Sequence, residues 1–253
     1  MSTYLVSVVI DATDPGPLAR WWSDALGWPI SLEEEGEVVV EPLGTDLEDR
    51  VPALVFGAVP EAKAAKNRVH LDLASEDAAD RDAIVDRLVA AGATRADVGQ
   101  AEDESWVVLA DPEGNEFCVL LGDGDGGPLS AVALDAVDHE ALAAFWVEAS
   151  GWTVVEQDEG GTILASPSGR RPTLDILPVP EAHAVKNRLH LDVAPPEDAD
   201  HAAEVARLVA LGARPVDVGQ TGEETWVVLA DPEGNEFCVL SCRELPGLGP
   251  AAG

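Results

Sequence analysis

The sequence predicts an α+β fold built from four copies of a βαβββ module, arranged as two tandem repeats. Three observations lead to this prediction. The second half of the chain repeats the first, strand segments alternate apolar and polar residues, and two segments of each repeat carry apolar residues at helical spacing. The string WVVLADPEGNEFCVL, found at 106–120 and again at 226–240, is the longest unchanged piece of the duplication.

The matching segments lie 120 residues apart over most of the repeat. VPEAKAAKNRVHLDLA at 59–74 matches VPEAHAVKNRLHLDVA at 179–194, and DVGQ follows at 97–100 and 217–220. The opening segments at 8–28 and 132–152 match at an offset of 124, so loops absorb the difference. The Gly-rich segment GDGDGGPL at 122–129 marks the junction between the two repeats. We therefore expect one domain at 1–123, a linker at 124–128, a second domain at 129–245 and a flexible tail at 246–253.

Each half of a repeat is expected to hold a strand, a helix and three more strands. In the first half a strand at 7–12 precedes a helix within 18–28, which starts after Asp14 and stops at Gly27, and strands follow at 29–32, 37–41 and 53–59. In the second half a strand at 68–74 and a helix at 80–91 precede strands at 94–98, 105–110 and 116–120. DPEGN supplies the β-turn between the last two.

Composition excludes several classes of protein. The chain has 48 acidic and 15 basic residues, a formal net charge of −33, which repels nucleic acid and anionic membranes. Such a charge favours cationic ligands, although solubility is the simpler explanation. No apolar run is long enough for a membrane span, the N-terminal segment lacks the basic start of a signal peptide, and the three cysteines lack disulfide spacing. We expect a cytoplasmic protein without nucleic-acid or membrane partners.

Alternation along the strands separates a helix-covered face from a concave face. Val8, Ile10, Phe117 and Val119 should pack under the helices. The residues of the opposite rows are predicted to converge in ligand-binding clefts: Asp11, His70, Asp72, Glu116 and Cys118 in the first repeat, and Asp135, His190, Asp192, Glu236 and Cys238 in the second. Most tryptophans are expected in the core, but Trp106 and Trp226 are placed to line a cleft and stack on a planar or cationic ligand.

These motifs, in this order, resemble the vicinal oxygen chelate (VOC) superfamily, and within it the glyoxalase-like and bleomycin-resistance-like proteins. The resemblance rests on LARWWSDALGW with LAAFWVEASGW, on KNRVHLD with KNRLHLD, and on the twice-used DPEGNEFCVL. It covers nearly the whole chain. It implies two tandem VOC domains of two modules each, whose mixed sheets curve around a cleft that holds the ligand.

The resemblance also implies where a metal ion would lie. Metal-dependent relatives use a His on the first strand and a Glu on the last strand of a module. Those positions hold His70 with Cys118 and His190 with Cys238, whereas the corresponding positions of the other modules fall at Ser7, Ala131, Gly57 and Leu177. One imidazole and one thiolate are too few for a zinc site and unsuited to hard cations, although Asp11, Asp72 and Glu116 could supply oxygen.

Two functions therefore stay open at this point. The leading one is a small-molecule-binding protein that binds or sequesters a cationic metabolite or antibiotic, with no obligatory cofactor. The alternative is a lyase, isomerase or dioxygenase of the glyoxalase I kind, which would use a divalent metal ion at His70 and His190. The His and Asp residues could instead form a structural network, and Cys118 is disfavoured as a nucleophile because free cysteines are usually buried. Both a monomer and a homodimer are compatible with the duplication.

Overall fold

The structure, a computed structural model, describes residues 3–43, 51–101, 104–122, 127–196, 198–221 and 224–241. Within these ranges the chain forms sixteen strands and four helices in the order of four βαβββ modules, which confirms the predicted α+β fold. The predicted tail, Cys242 and most of the predicted linker lie outside the described residues. No helix in the described part of the chain has the length and apolar character needed to cross a membrane.

The first repeat contains modules 1 and 2. Module 1 comprises β1 (Tyr4–Ala12), α1 (Pro15–Leu26), β2 (Ile30–Glu34), β3 (Glu37–Val40) and β4 (Ala53–Ala58). Module 2 comprises β5 (Val69–Leu73), α2 (Ala78–Ala90), β6 (Thr94–Arg95), β7 (Val107–Ala110) and β8 (Glu116–Val119). Helix α1 begins with proline in its first turn and ends at Gly27, whose φ of 67° is a left-handed conformation that glycine adopts without strain.

The second repeat contains modules 3 and 4. Module 3 comprises β9 (Leu129–Ala136), α3 (His139–Ser150), β10 (Thr153–Asp158), β11 (Gly161–Ala165) and β12 (Thr173–Pro178). Module 4 comprises β13 (Leu189–Ala194), α4 (His201–Ala210), β14 (Arg214–Pro215), β15 (Val227–Ala230) and β16 (Glu236–Val239). The carboxylate of Asp138 accepts a hydrogen bond from the Ala141 amide at 3.0 Å and caps α3, whereas Asp14, which the sequence suggests as the cap of α1, makes no side-chain capping bond.

The modules form two eight-stranded mixed sheets, and each sheet takes one module from each repeat. Sheet A has the order β14-β15-β16-β13-β1-β4-β3-β2, so it joins module 4 to module 1. Sheet B has the order β10-β11-β12-β9-β5-β8-β7-β6, so it joins module 3 to module 2. Antiparallel pairing of β1 with β13 and of β5 with β9 makes the two junctions. The domain boundaries at 1–123 and 129–245 follow the sequence repeat and stay a prediction, and each hydrogen-bonded sheet crosses them.

The core lies on the helix-covered faces of the sheets and connects them. Val8 and Ile10 are fully buried there, as alternation predicts. The ring of Trp22 on α1 packs edge-on against Phe117 of β8 at a centroid distance of 5.2 Å, and Trp146 meets Phe237 in the same way at 5.4 Å. Since α1 covers sheet A and β8 belongs to sheet B, these aromatic pairs hold the two sheets together.

The repeated DPEGN string anchors these aromatic clusters. The Oδ2 atom of Asp111 accepts the indole N–H of Trp22 at 3.1 Å, and Oδ1 accepts the backbone N–H of Asn115 at 2.9 Å. Asp231 accepts the indole N–H of Trp146 at 3.3 Å in the second copy. Burial raises the pKa of Asp111, and hydrogen bonds from Asn115 and Trp22 oppose that rise.

The glutamate of the same string connects the repeats. The carboxylate of Glu113 accepts the backbone N–H groups of Thr13 and Asp14 at 2.8 and 2.9 Å, and it pairs with Arg188 at 2.9 Å. The second copy repeats this arrangement with Glu233, Val137, Asp138 and Arg68. Burial works to raise the pKa of Glu113, but the backbone amides and Arg188 outweigh it and lower the pKa. These contacts give the chain a structural reason to keep DPEGN twice.

Candidate functional site

The central strands of each sheet carry a His-x-Asp pair on the face away from the helices. On β5, Nδ1 of His70 lies 2.9 Å from Oδ1 of Asp72, and on β13 the same atoms of His190 and Asp192 lie 3.1 Å apart. The neighbouring strand aligns Cys118 with Asp72 and Cys238 with Asp192. The side chains predicted to converge from these strands therefore meet at one point on each sheet.

We call His190, Asp192 and Cys238 the sheet A triad, and His70, Asp72 and Cys118 the sheet B triad. In each triad the three potential ligand atoms all lie within 4.8 Å of one another. The Sγ atom of Cys238 is 3.9 Å from Nδ1 of His190. Both aspartates and both cysteines are buried or nearly so, and both histidines keep slight exposure.

The environment raises the pKa of the histidine and of the cysteine in each triad. Burial alone would lower the pKa of His70, but the charge and hydrogen bond of Asp72, together with Cys118, raise it well above its ordinary value. The pKa of His190 is raised well above its ordinary value in the same way, by Cys238 and Asp192 against burial. Burial raises the pKa of both thiols, so neither cysteine has the lowered pKa of an activated nucleophile.

The raised pKa values of His70 and His190 should make the free energy of unfolding depend on pH. Their pKa lies above the unfolded value of about 6.5, so their contribution to folding is complete below that pH and is lost as pH rises through the raised value. We expect the difference in unfolding free energy between the wild type and the His70→Gln/His190→Gln variant to shrink as the pH is raised from 6 into the alkaline range. Urea denaturation along a pH series measures this difference, and a pH-independent value would contradict the raised pKa of the two histidines.

A cleft of about 420 Å³ lies over the sheet A triad. Module 4 contributes the triad, Trp226 and Leu240, and module 1 contributes Ser7, Val9, Glu37, Val55 and Gly57. The hydroxyl of Ser7 donates to Oδ2 of Asp192 at 3.2 Å across the junction. Ser7 and Val9 belong to the same strand row as Asp11, but sequence reasoning left open which repeat supplies this wall, because local patterns carry no signal for which modules pair.

The two tryptophans predicted to line a cleft differ in exposure. Trp226 lines the cleft over sheet A and is 41% exposed, whereas Trp22, Trp28, Trp146 and Trp152 are buried in the core. Trp106 holds the equivalent position just before β7 and is half-buried. An exposed indole beside a polar floor offers a stacking surface to a planar ligand.

Four residues predicted to bind ligand pair with groups of the neighbouring loops. The carboxylate of Asp11 pairs with Lys186, and that of Asp135 pairs with Lys66 at 2.6 Å. Glu116 pairs with Lys63 at 2.7 Å, and Glu236 accepts the backbone N–H of Asn187 at 3.0 Å. Alternation assigns these residues to the correct face, but the loops at 59–68 and 179–188 fold over the strand ends and supply their partners. Ligand binding by these four residues stays a prediction.

The same two loops enclose a second cavity that sequence reasoning missed. It has a volume of about 730 Å³ and lies between the repeats, with Asp11 and Asp135 in its wall. The chain has only three lysines, Lys63, Lys66 and Lys186, and all of them line this cavity. Each lysine forms an ion pair with an acidic residue, and these ion pairs hold the two loops against the strand ends.

The protein has two sheets of paired βαβββ modules, and each sheet carries a polar triad on its open face. This architecture places it in the class of α+β proteins built from βαβββ modules. The family model of the glyoxalase-like domain matches residues 7–120 and 131–240, so the chain belongs to the glyoxalase-like domain family. A search of curated proteins finds no relative of significant similarity.

Solved structures with the same fold include enzymes. Glyoxalase I from Zea mays is 16% identical with a TM-score of 0.64, covering 95% of this chain and 92% of its own. A mutant of that enzyme gives 15% identity and a TM-score of 0.67, covering 96% and 97%. A candidate dioxygenase from Bacillus subtilis subsp. subtilis str. 168 is 12% identical with a TM-score of 0.63, covering 95% and 86%. At these identities the likeness establishes the fold alone.

Proposed function

We propose that the protein binds a small organic molecule in the cleft over sheet A, and that the equivalent face of sheet B forms a second site. The observation that carries this proposal is the cleft itself: an open space of about 420 Å³ with a His–Asp–Cys floor, a valine wall and an exposed tryptophan. This volume and this mixture of apolar walls with few polar groups are typical of small-molecule sites.

The surroundings of the cleft favour a planar ligand that carries positive charge. Trp226 offers an indole face, which attracts cations as well as aromatic rings. Glu37 lies in the cleft wall, and the net charge of −33 concentrates cations around the whole molecule. A cationic metabolite or antibiotic with an aromatic group therefore fits both the shape of the cleft and the negative electrostatic field of the protein.

Calorimetric titration with a panel of planar cationic natural products tests this proposal. We expect at least one compound to bind the wild type, and the Trp226→Ala variant to bind it at least tenfold more weakly. Leu211→Ala is the matched control, since Leu211 is similarly exposed at the end of α4 and outside the cleft. Absence of heat with every compound, or equal weakening by both variants, would sink the proposal.

A metal-dependent lyase, isomerase or dioxygenase is the second candidate, and the donor geometry of the triads favours it. One sulfur, one nitrogen and one oxygen within 4.8 Å fit a zinc-like ion with one open coordination position, whereas the thiol does not suit magnesium or calcium. His190, Asp192 and Cys238 would hold the ion, which when bound would polarise a ligand oxygen.

Elemental analysis of untagged protein separates the two candidates. Under the binding proposal, we expect substoichiometric zinc, nickel, manganese and iron, and ligand affinity that chelator treatment leaves unchanged. The enzyme candidate instead requires about one ion per triad, lost in the His70→Ala/His190→Ala variant. Metal at that level, with ligand binding that disappears after chelation, would replace the first proposal by the second.

A further inference from the structure

The cavity between the two repeats has the features of a ligand site of its own. We propose that it binds a linear aliphatic diamine, with one ammonium group at Glu61 and the other at Glu181. Its volume of about 730 Å³ lies within the range of small-molecule sites. The described residues that line it are all different from those that line the cleft over sheet A, so this site does not depend on the proposed function.

The wall of the cavity follows the sequence repeat. The loop at 59–68 supplies residues 61–68, and the loop at 179–188 supplies residues 179–182 and 184–188. Glu61 and Glu181 lie 120 residues apart and so hold equivalent positions, one in each loop. A cavity whose two halves carry the same acidic group suits a ligand that carries the same cationic group at both ends.

Acidic residues outnumber basic residues around the cavity, in spite of its lysines. Five basic side chains line it, and each forms an ion pair with a different acid: Lys63 with Glu116, Lys66 with Asp135, Arg68 with Glu233, Lys186 with Asp11, and Arg188 with Glu113. Glu61 and Glu181 line the cavity in addition to these five acids. Glu61 also lies 3.4 Å from Lys186, but it shares that lysine with Asp11. Two added positive charges would therefore balance this group of residues.

Both glutamates are accessible to a ligand. The side chain of Glu61 is 54% exposed, and Glu181 is exposed as well. The other acids in the wall, Asp11 and Asp135, are buried and paired with lysines. Because a single exposed ion pair contributes little, a ligand that bridges both glutamates gains more than one that meets only one of them.

Arginines of opposite repeats hold the backbone of the two glutamates. Nη1 of Arg68 donates to the carbonyl oxygen of Glu181 at 2.7 Å, and Nη1 of Arg188 donates to the carbonyl oxygen of Glu61. Only 11% and 7% of these two arginine side chains are exposed. Since each loop is bonded to the other repeat at this residue, the backbone positions are set before a ligand arrives, which reduces the entropic cost of binding.

Much of the remaining wall is apolar, which favours a diamine over an inorganic cation. Alanine holds five of these positions, at 62, 64, 65, 182 and 184, and Val98 and Val185 hold two more. The methylene chain of a diamine is removed from water against such side chains, which is favourable without any specific polar contact. A metal ion has no apolar surface to bury there.

Calorimetric titration of the full-length chain at constant ionic strength tests the proposal, with 1,3-diaminopropane, 1,5-diaminopentane and 1,7-diaminoheptane as the probes. We expect saturable binding of one diamine per chain, with an affinity that changes with chain length because the two glutamates are held by the fold. The monoamine of the same length should bind about fivefold more weakly than the tightest diamine, since it forms one ion pair fewer.

The Glu61→Gln/Glu181→Gln variant keeps the size of both side chains and removes both carboxylates. It should bind the tightest diamine about fivefold more weakly than the wild type. Glu33→Gln/Asp82→Asn is the control with the same loss of charge, because both of its residues are exposed and lie outside the cavity. This control and Trp226→Ala, which alters the other cleft, should both bind the diamine as the wild type does.

Three results would overturn the proposal. Equal weakening by the two double variants, or equal affinity for all three diamines, would mean that the probes respond only to the net charge of the protein. Loss of diamine binding in Trp226→Ala but not in Glu61→Gln/Glu181→Gln would move the diamine to the cleft over sheet A. Saturable binding of succinate, a dianion, would mean that the cavity acts through its lysines. Failure of the planar compounds to bind over sheet A leaves this site unaffected.

Discussion

Trp146→Ala is expected to lower the free energy of unfolding by about 3–5 kcal/mol, the usual cost of truncating a large buried aromatic residue. Trp146 is fully buried, packs against Phe145 and Phe237 at centroid distances of 5.6 and 5.4 Å, and donates its indole N–H to Asp231. The variant leaves a cavity between the two sheets and removes a hydrogen-bond partner from a buried carboxylate. Urea denaturation monitored by circular dichroism measures the change.

Trp226→Ala is the matched control for that experiment. Trp226 is exposed at the rim of the cleft, so its removal should change the free energy of unfolding by less than about 0.5 kcal/mol while it weakens ligand binding. Equal losses of stability in the two variants would contradict the assignment of one tryptophan to the core and the other to the cleft.

Glu113→Ala is expected to lower the free energy of unfolding by about 3 kcal/mol. This value is at the lower end of the range for breaking a buried ion pair, because Glu113 keeps some contact with water. The variant leaves the buried Arg188 guanidinium without this partner and removes the acceptor for the N–H groups of Thr13 and Asp14. Thermal or urea denaturation at constant salt concentration measures the effect. Glu233→Ala should give a similar loss through Arg68.

Glu33→Ala provides the comparison with an exposed pair. Glu33 lies 2.9 Å from Arg20, but both side chains are more than half exposed, so water and salt screen the attraction. We expect a loss below about 1 kcal/mol. If Glu113→Ala were no more harmful than Glu33→Ala, the DPEGN glutamates would not be the connection between the repeats that the structure indicates.

The module order and the triads could be predicted from sequence because both depend on local periodicity. Alternation alone places Val8 and Ile10 under the helices and His70 with Asp72 on the opposite face, and the structure agrees. The prediction of short strands was less accurate. The strand predicted at 94–98 is only two residues long in the structure, where it is β6, Thr94–Arg95. Only two residues pair there, so the chain beyond them follows the loop rather than the strand pattern.

The composition of each cleft could not be predicted, because it depends on which modules pair. The choice between pairing within a repeat and across repeats is decided by long-range contacts such as β1 with β13, and both choices satisfy the same local pattern. The loops at 59–68 and 179–188 are a second example. Nothing in the strand pattern indicates that they bring Lys63, Lys66 and Lys186 to the acidic residues at the strand ends.

Pairing across the repeats has a consequence for how this chain can evolve. A symmetric dimer of single repeats would build both clefts from identical surfaces, so every substitution would appear in both. Here β1 and β9 are separate stretches of one polypeptide, and each can change alone while the covalent connection keeps the halves at a high effective concentration. Joining the two copies therefore removes the symmetry constraint, and one molecule gains room for two independent specificities.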